Sequence, residues 1–322
     1  MAGYISDFFG FAADDCSDNA LDYAARLTCP ILGTVCNKAL GRDRSPAGAC
    51  AVKQVTASSP EVICCPIRLY ADDYKILRIV SERAFKCELN LYSGRVAIDR
   101  AREEGGAVAV FGHGWGGELQ LPQRDGTGAY SVDWVLARLD GNGSLAEISA
   151  IEVQTIDTTG NYHASRDALL ADRTMAKSTV GLNWENVSKR ILPQIIYKGQ
   201  VLQREELCRT GLFFVCPQPV YDRVLARLGG KGNLPEFPSG QPGTVHFFSY
   251  DYDRTAPTAE GEMLLLAFQE EYCTAIHKVQ EAFSNIALPE SNVYRSAISK
   301  ALYGEMRYHF TNTADGDSAG ET

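Results

Sequence analysis

Apolar positions along this chain change period several times. Residues 71 to 104 read as helical, with Ser93 as N-cap for "GRVAIDRAREE". "AVAVFGHG" then reads as a strand, followed by three more strand-like runs, "GELQLP", "YSVDWVLARL" and "LAEISAIEVQT". Trp184, Val187, Ile191 and Ile195 recur at helical spacing, so "WENVSKRILPQIIYKGQVLQREE" reads as a helix capped by Asn183 and kinked at Pro193. "GLFFVCP" is a strand, "PVYDRVLARL" a helix opened by Pro219, and 229–243 a Gly/Pro-rich loop. "VHFFSYDY" is a strand, and "EGEMLLLAFQEEYCTAIHKVQEAF" a long final helix. No internal repeat is evident. Strands mixed with helices predict an α/β or α+β fold, a mixed central sheet flanked by helices. The expected division is a turn-rich, cysteine-bearing segment 1–70, a main domain 71–310 and a disordered polar tail 311–322.

One strand carries an anomaly. In "SAIEVQTID", Glu152 and Gln154 lie two residues apart and share a face of an otherwise apolar strand. Burying such groups without partners costs several kcal/mol. Asn142-Gly143 is a strong two-residue hairpin turn. Centring the hairpin there sets Asp133 opposite Glu152 and Ser131 opposite Gln154. Val132, Trp134, Leu136, Ile151 and Val153 then form the core side. Centring the preceding turn on Asp125-Gly126 sets Glu118 opposite Asp133, which predicts a row of three carboxylates across adjacent strands. Like charges directly opposite one another are destabilising, and a divalent cation reverses that sign. Solvent-facing acids paired with Lys or Arg are one alternative. A carboxylate pair doing acid–base work, as in glycoside hydrolysis, is another.

Charge and composition narrow the partners. The formal net charge of −9 argues against indiscriminate nucleic-acid binding. Residues 161 to 231 nevertheless hold eleven Lys and Arg against six acids. On charge alone that segment reads equally as an ordinary solvated surface; if it meets a polyanion, Lys189, Arg190 and Lys198 are its candidate phosphate contacts. No run of 18 apolar residues is present, so no membrane span is expected. The N-terminus lacks the pattern of a signal peptide, so a cytoplasmic location is expected. Ten cysteines in such a protein point to metal ligation or burial rather than disulfides.

Asp followed by Glu-x-Gln on the next strand resembles the metal-binding signature of the PD-(D/E)xK nuclease superfamily, with Gln154 where Lys is usual. The surrounding words are similar to those of NotI-like Type II restriction endonucleases. "FFG" at 8–10, "TCP" at 28–30, "GAC" at 48–50, "CPIR" at 65–68, "GGEL" at 116–119, "DW" at 133–134 and "IEVQTID" at 151–157 come in the family's order. "NYHA" at 161–164, "KR" at 189–190, "Q..YK" at 194–198 and "TG" at 210–211 continue it. The likeness runs sparsely from about residue 4 to about 255.

This resemblance implies a restriction-endonuclease-like core and a homodimer that cuts both strands of a palindromic, possibly GC-rich, DNA site with Mg²⁺. Glu118, Asp133, Glu152 and Gln154 match the catalytic positions. Asp133 and Glu152 would bind the metal, and Glu118 a second ion or its water. Gln154 would orient the attacking water. The resemblance also implies a structural four-thiolate site for iron or zinc at Cys29, Cys36, Cys50 and Cys65. Its spacings are wide, and Cys64 competes with Cys65. His163 and His113 are either further site residues or structural ones. A catalytically silent DNA-binding or partner-binding protein of the same fold is the alternative function.

Overall fold

The computed structural model describes residues 2–40, 44–56, 59–119, 131–255, 257–285 and 290–303. In chain order the first elements are β1 (Gly3–Phe8), β2 (Phe11–Ala12), α1 (Asp18–Ala25), β3 (Ala49–Gln54) and β4 (Glu61–Ile63). Next come α2 (Ala71–Phe85), β5 (Leu91–Ser93), α3 (Val96–Glu104), β6 (Gly106–Gly112), β7 (Trp134–Asp140) and β8 (Leu145–Val153). They are followed by α4 (His163–Asp172), α5 (Leu192–Leu202), β9 (Leu212–Pro217), α6 (Gln218–Arg227), β10 (Thr244–Tyr252), β11 (Leu266–Ala275) and α7 (Ile276–Ser284).

Two sheets organise these elements. Strands β5 to β11 form a seven-stranded mixed sheet in sequence order, and β2-β1-β3-β4 a smaller antiparallel one. In the large sheet β8, β9 and β10 run parallel, whereas β6, β7 and β8 alternate and β11 returns antiparallel to β10. Parallel neighbours need crossovers, and the crossover helices cover the sheet. Ile151, Val153, Trp134 and Phe213 pack on α2 through Ile76, Leu77 and Val80. On the opposite face Ala150, Phe214 and Phe247 pack on α5, α6 and α7 through Ile195, Val224 and Val279. The molecule is thus a mixed α/β fold whose central strands are buried on both faces.

The N-terminal segment does not stand apart. Ile5, Phe8 and Val52 of the small sheet share one core with Phe214 and Ile195. A single compact unit runs from Met1 to Ser284, and a second covers Asn285–Thr322, containing α8 (Val293–Tyr303). The structural division falls at 284/285. The tail 311–322 lies outside the described residues. No helix among the described residues is long and apolar enough to cross a membrane.

Several elements differ from expectation. The stretch read as a long final helix is β11 followed by α7. Its first half pairs along β10, with His246 opposite Cys273, and so covers polar backbone that would otherwise form an open sheet edge. His246 is fully buried, with Nδ1 2.9 Å from Glu271 Oε1, which pins the two strands together. Ser93 ends β5 instead of capping a helix, and α3 starts after Arg95. Pro193 sits in the first turn of α5, directly after a π-helical turn at Val187–Ile191. There its missing N–H is tolerated. β7 pairs with β6 instead of with "GELQLP". Residues 117–119 of that run are not in a strand, and 120–122 lie outside the described residues.

Gly211 opens β9 with φ +71°, and a Cβ there would lie 2.0 Å from the Thr244 carbonyl oxygen of the neighbouring strand. Left-handed backbone alone costs a non-Gly residue about 1–2 kcal/mol. Gly211→Ala should therefore destabilise the fold by at least about 2 kcal/mol, the clash adding to the backbone term. Urea unfolding measures this, and an unchanged midpoint would contradict the close approach of β9 and β10.

Candidate functional site

Away from its turn the β7–β8 hairpin has the expected register; next to the turn a bulge after Arg138 and a three-residue loop between Asp140 and Ser144 replace the expected two-residue turn. Trp134 lies opposite Ile151, and the pairs continue to Arg138 opposite Glu147. Asp133, one residue before β7, therefore meets the end of β8. Its Oδ2 accepts the Val153 N–H at 2.8 Å. Glu152 precedes Val153 and turns to the other face, toward α5, where it is 5% exposed. Lys198 reaches it from that helix, with Nζ 2.5 Å from Glu152 Oε1. Glu152 Oε2 has no hydrogen-bond partner among the described residues.

Sequence reasoning had made Lys198 a candidate phosphate contact within a basic segment. The structure buries its side chain to 12% exposure beside Glu152. The missed signal was its position in the helical stripe Ile191, Ile195, Lys198, Leu202, in which all three apolar residues belong to the core or pack against it. Lys189 and Arg190 lie outside that stripe and remain exposed. Lys189 pairs with Glu185, and Arg190 lies 2.9 Å from Asp157.

Glu118 joins the cluster by a different route from the one expected. β6 occupies the place beside β7, so no three-strand row of carboxylates forms. Glu118 instead lies in the segment after β6, exposed, with an oxygen 3.4 Å from His113 Nδ1. It still lines the same cavity as Asp133, Lys198, Ser131 and Tyr70, a space of about 410 Å³. Gln154 follows β8. Its backbone N–H bonds Val215, extending the parallel ladder, and its side-chain amide donates to the Thr155 carbonyl at 2.9 Å. Val132, expected on the Trp134 side, packs into the opposite core, because the chain is not yet a strand there. His163 is the first residue of α4, and its backbone N–H donates to Asn161.

Burial sets the electrostatics. It pushes the Glu152 carboxyl up to about 7, with a further push from Asp133, while Lys198 opposes both. The short ion pair does not reverse the shift, because desolvation penalises the charged carboxylate more than one partner compensates. Asp133 is also raised by burial; the Val153 N–H and Lys198 oppose this, and Glu118 adds to it.

A second cluster gathers the four cysteines. Cys29, Cys36, Cys50 and Cys65 all line one small cavity of about 10 Å³, close to the room needed by one water-sized body. Burial raises the thiols of Cys29 and Cys50 and pushes Cys65 up to about 12. Cys64 points elsewhere. It does not line that cavity, and its Sγ lies 3.0 Å from Lys38 Nζ. Adjacent residues of an extended segment alternate in this way. As the side chains stand, no group of three or more His, Cys, Asp or Glu among the described residues is arranged to hold a metal ion.

Comparison with known proteins gives no matching family model and no matching curated protein. Function is therefore read from the site itself.

A carboxyl whose pKa is raised on folding holds its proton more tightly in the folded state. Glu152 thus contributes stability below its ordinary value of 4.5, and that contribution is lost as pH rises through about 7. Urea unfolding from about pH 5 to about pH 8 should show the parent losing stability along a slope that Glu152→Gln flattens. Equal slopes in the two proteins would contradict a desolvated Glu152.

Proposed function

We propose that this protein is a Mg²⁺-dependent, sequence-specific double-stranded DNA endonuclease, a NotI-like Type II restriction enzyme. It would act in the cytoplasm as a homodimer on a palindromic site. The observation that carries this reading is the meeting of Asp133, Glu152 and Lys198 at one strand end beside a 410 Å³ cavity. The family words quoted above supply the nuclease half of the argument.

The donor chemistry suits a hard cation. Mg²⁺ takes one or two carboxylates and completes its shell with water and phosphate oxygens, so two protein ligands suffice. Asp133 and the unpartnered oxygen of Glu152 would hold it. Bound there, the ion would lower the pKa of its water and polarise the phosphoryl group. Lys198 keeps a positive charge at the strand end, which offsets the charge a phosphodiester brings into the cavity. Gln154 cannot act as a base, because an amide does not titrate; its role is to orient water. Glu118, exposed across the cavity, would hold a second ion or its water. Lys189 and Arg190 lie on the surface, where DNA phosphates would compete with Glu185 and Asp157 for them.

The four-cysteine cavity supports a structural iron or zinc site. Four soft donors around an ion-sized space suit either metal. The sulfurs would have to draw together and lose their protons, which couples metal uptake to pH and to folding.

The Lys198–Glu152 pair also favours a second reading. A lysine that neutralises the glutamate in place of a metal would leave a DNA-binding protein without cleavage. Plasmid DNA incubated with and without Mg²⁺ separates the two. The parent should cut at discrete sites with Mg²⁺. Glu152→Ala should lose on the order of 10²–10³-fold or more in rate while still binding DNA in Ca²⁺. No Mg²⁺-dependent cutting by the parent would favour the silent protein, and full cutting by Glu152→Ala would remove Glu152 from the catalytic role.

A further inference from the structure

β5 is an edge strand of the seven-stranded sheet. β6 lies on one side of it, and among the described residues no strand pairs with the other. Asn90 accepts the Val108 N–H at 3.0 Å, and Gly94 donates to the Val110 carbonyl at 3.1 Å. Alternate residues of a strand present their N–H and C=O to opposite edges. Leu91 therefore turns both groups away from β6, toward the open edge.

A groove of about 1080 Å³ runs along this edge, lined by the five consecutive residues 88–92. Arg78 and Glu82, one turn apart on α2, form its other wall. Tyr74 and Trp115 close it, their ring centroids 5.6 Å apart. The groove is acidic. Asp73, Glu82, Glu88 and Glu104 line it against one lining cation, Arg78, which pairs with Asp73. Glu82, Glu88 and Glu104 are left to set its charge. Asn90 and the Tyr92 hydroxyl donate to the Glu104 carboxylate and hold it below its ordinary value, which keeps it anionic. Such a wall repels a nucleic acid and attracts Lys or Arg side chains, whose charge the two aromatic rings also accept.

Native sheets blunt their free edges by shortness and by charge. β5, three residues long, offers too short a ladder for the sheet of a second copy of this chain. A single extended segment needs less. Peptides bound as an added strand take affinity from main-chain hydrogen bonds and specificity from the side chains around them. Leu91 supplies a donor and an acceptor for the first, and the acids and rings supply the second.

We propose that this groove binds an extended, basic peptide segment of a partner protein, which adds as a strand to the free edge of β5.

The probe is a fluorescein-labelled heptapeptide, Val-Lys-Lys-Val-Lys-Lys-Val, titrated against the full chain by fluorescence anisotropy. It should bind at least about tenfold more tightly than its fully N-methylated form, which keeps the charges and loses the backbone donors. Val-Glu-Glu-Val-Glu-Glu-Val should not bind. Glu82→Lys/Glu88→Lys reverses two exposed charges and should weaken the basic peptide by at least about tenfold with the fold intact. Amide hydrogen exchange at Leu91 should slow in the complex, as its N–H enters a ladder. Equal binding of the methylated and unmethylated peptides, or unchanged exchange at Leu91, would overturn strand addition. Absence of binding, or full binding by the double variant, would remove the groove as the site. Self-association of the parent that the double variant loses, with no peptide bound, would give the edge to a second copy and overturn the proposal.

Discussion

A lysine and a glutamate, both nearly out of water, meet at the end of the central strand. The Lys198–Glu152 contact constrains everything around it. Removing one partner of such a pair costs about 3–5 kcal/mol, because the other charge is left buried alone. The fold must therefore keep α5 in place over β8. It does so with the stripe of Ile191, Ile195 and Leu202 on one side of the contact. On the other side, β9 runs parallel to β8 with Phe214 in register with Glu152. Asp133 enters through the hairpin and is fixed by the Val153 N–H. The result is a pair of raised carboxyls and one lysine beside an open cavity.

Legibility from sequence followed the locality of the signal. The Asn142-Gly143 pair located the β7–β8 hairpin, but the turn is a three-residue loop between Asp140 and Ser144, and a bulge after Arg138 restores the register in which Asp133 meets Glu152. β9, β10 and α6 were legible because short apolar blocks are bounded by Gly and Pro. β11 was not, since its residues become a strand only when β10 offers an edge, a pairing the chain does not announce locally. The three-carboxylate row failed for a similar reason. Two segments competed for the edge of β7, and the more apolar one, β6, took it. Glu118 then reached the same cavity from a loop. The inward position of Lys198 was not legible, because a count of basic residues ignores the helical phase that turns one of them toward Glu152.

The cysteine cavity shows the same limit in another form. Cys29, Cys36, Cys50 and Cys65 come from separate stretches, and no spacing rule joins them. The small sheet joins two of them: Cys50 lies in β3, and the N–H groups of Cys64 and Cys65 both point to the Cys50 carbonyl, whereas Cys29 comes from a separate two-stranded ribbon. Alternation along an extended segment separates Cys64 from Cys65, and the structure puts Cys65 on the cavity.

The central claim is that Asp133 and Glu152 form the cation site of a nuclease. The most direct measurement is the anomalous scattering of Mn²⁺ in crystals of the protein grown with double-stranded DNA. The account expects a peak within coordination distance of one oxygen from each of these two carboxylates, with a DNA phosphate completing the shell. A peak elsewhere, or an intact Lys198–Glu152 pair with DNA bound and no Mn²⁺ beside it, would contradict it.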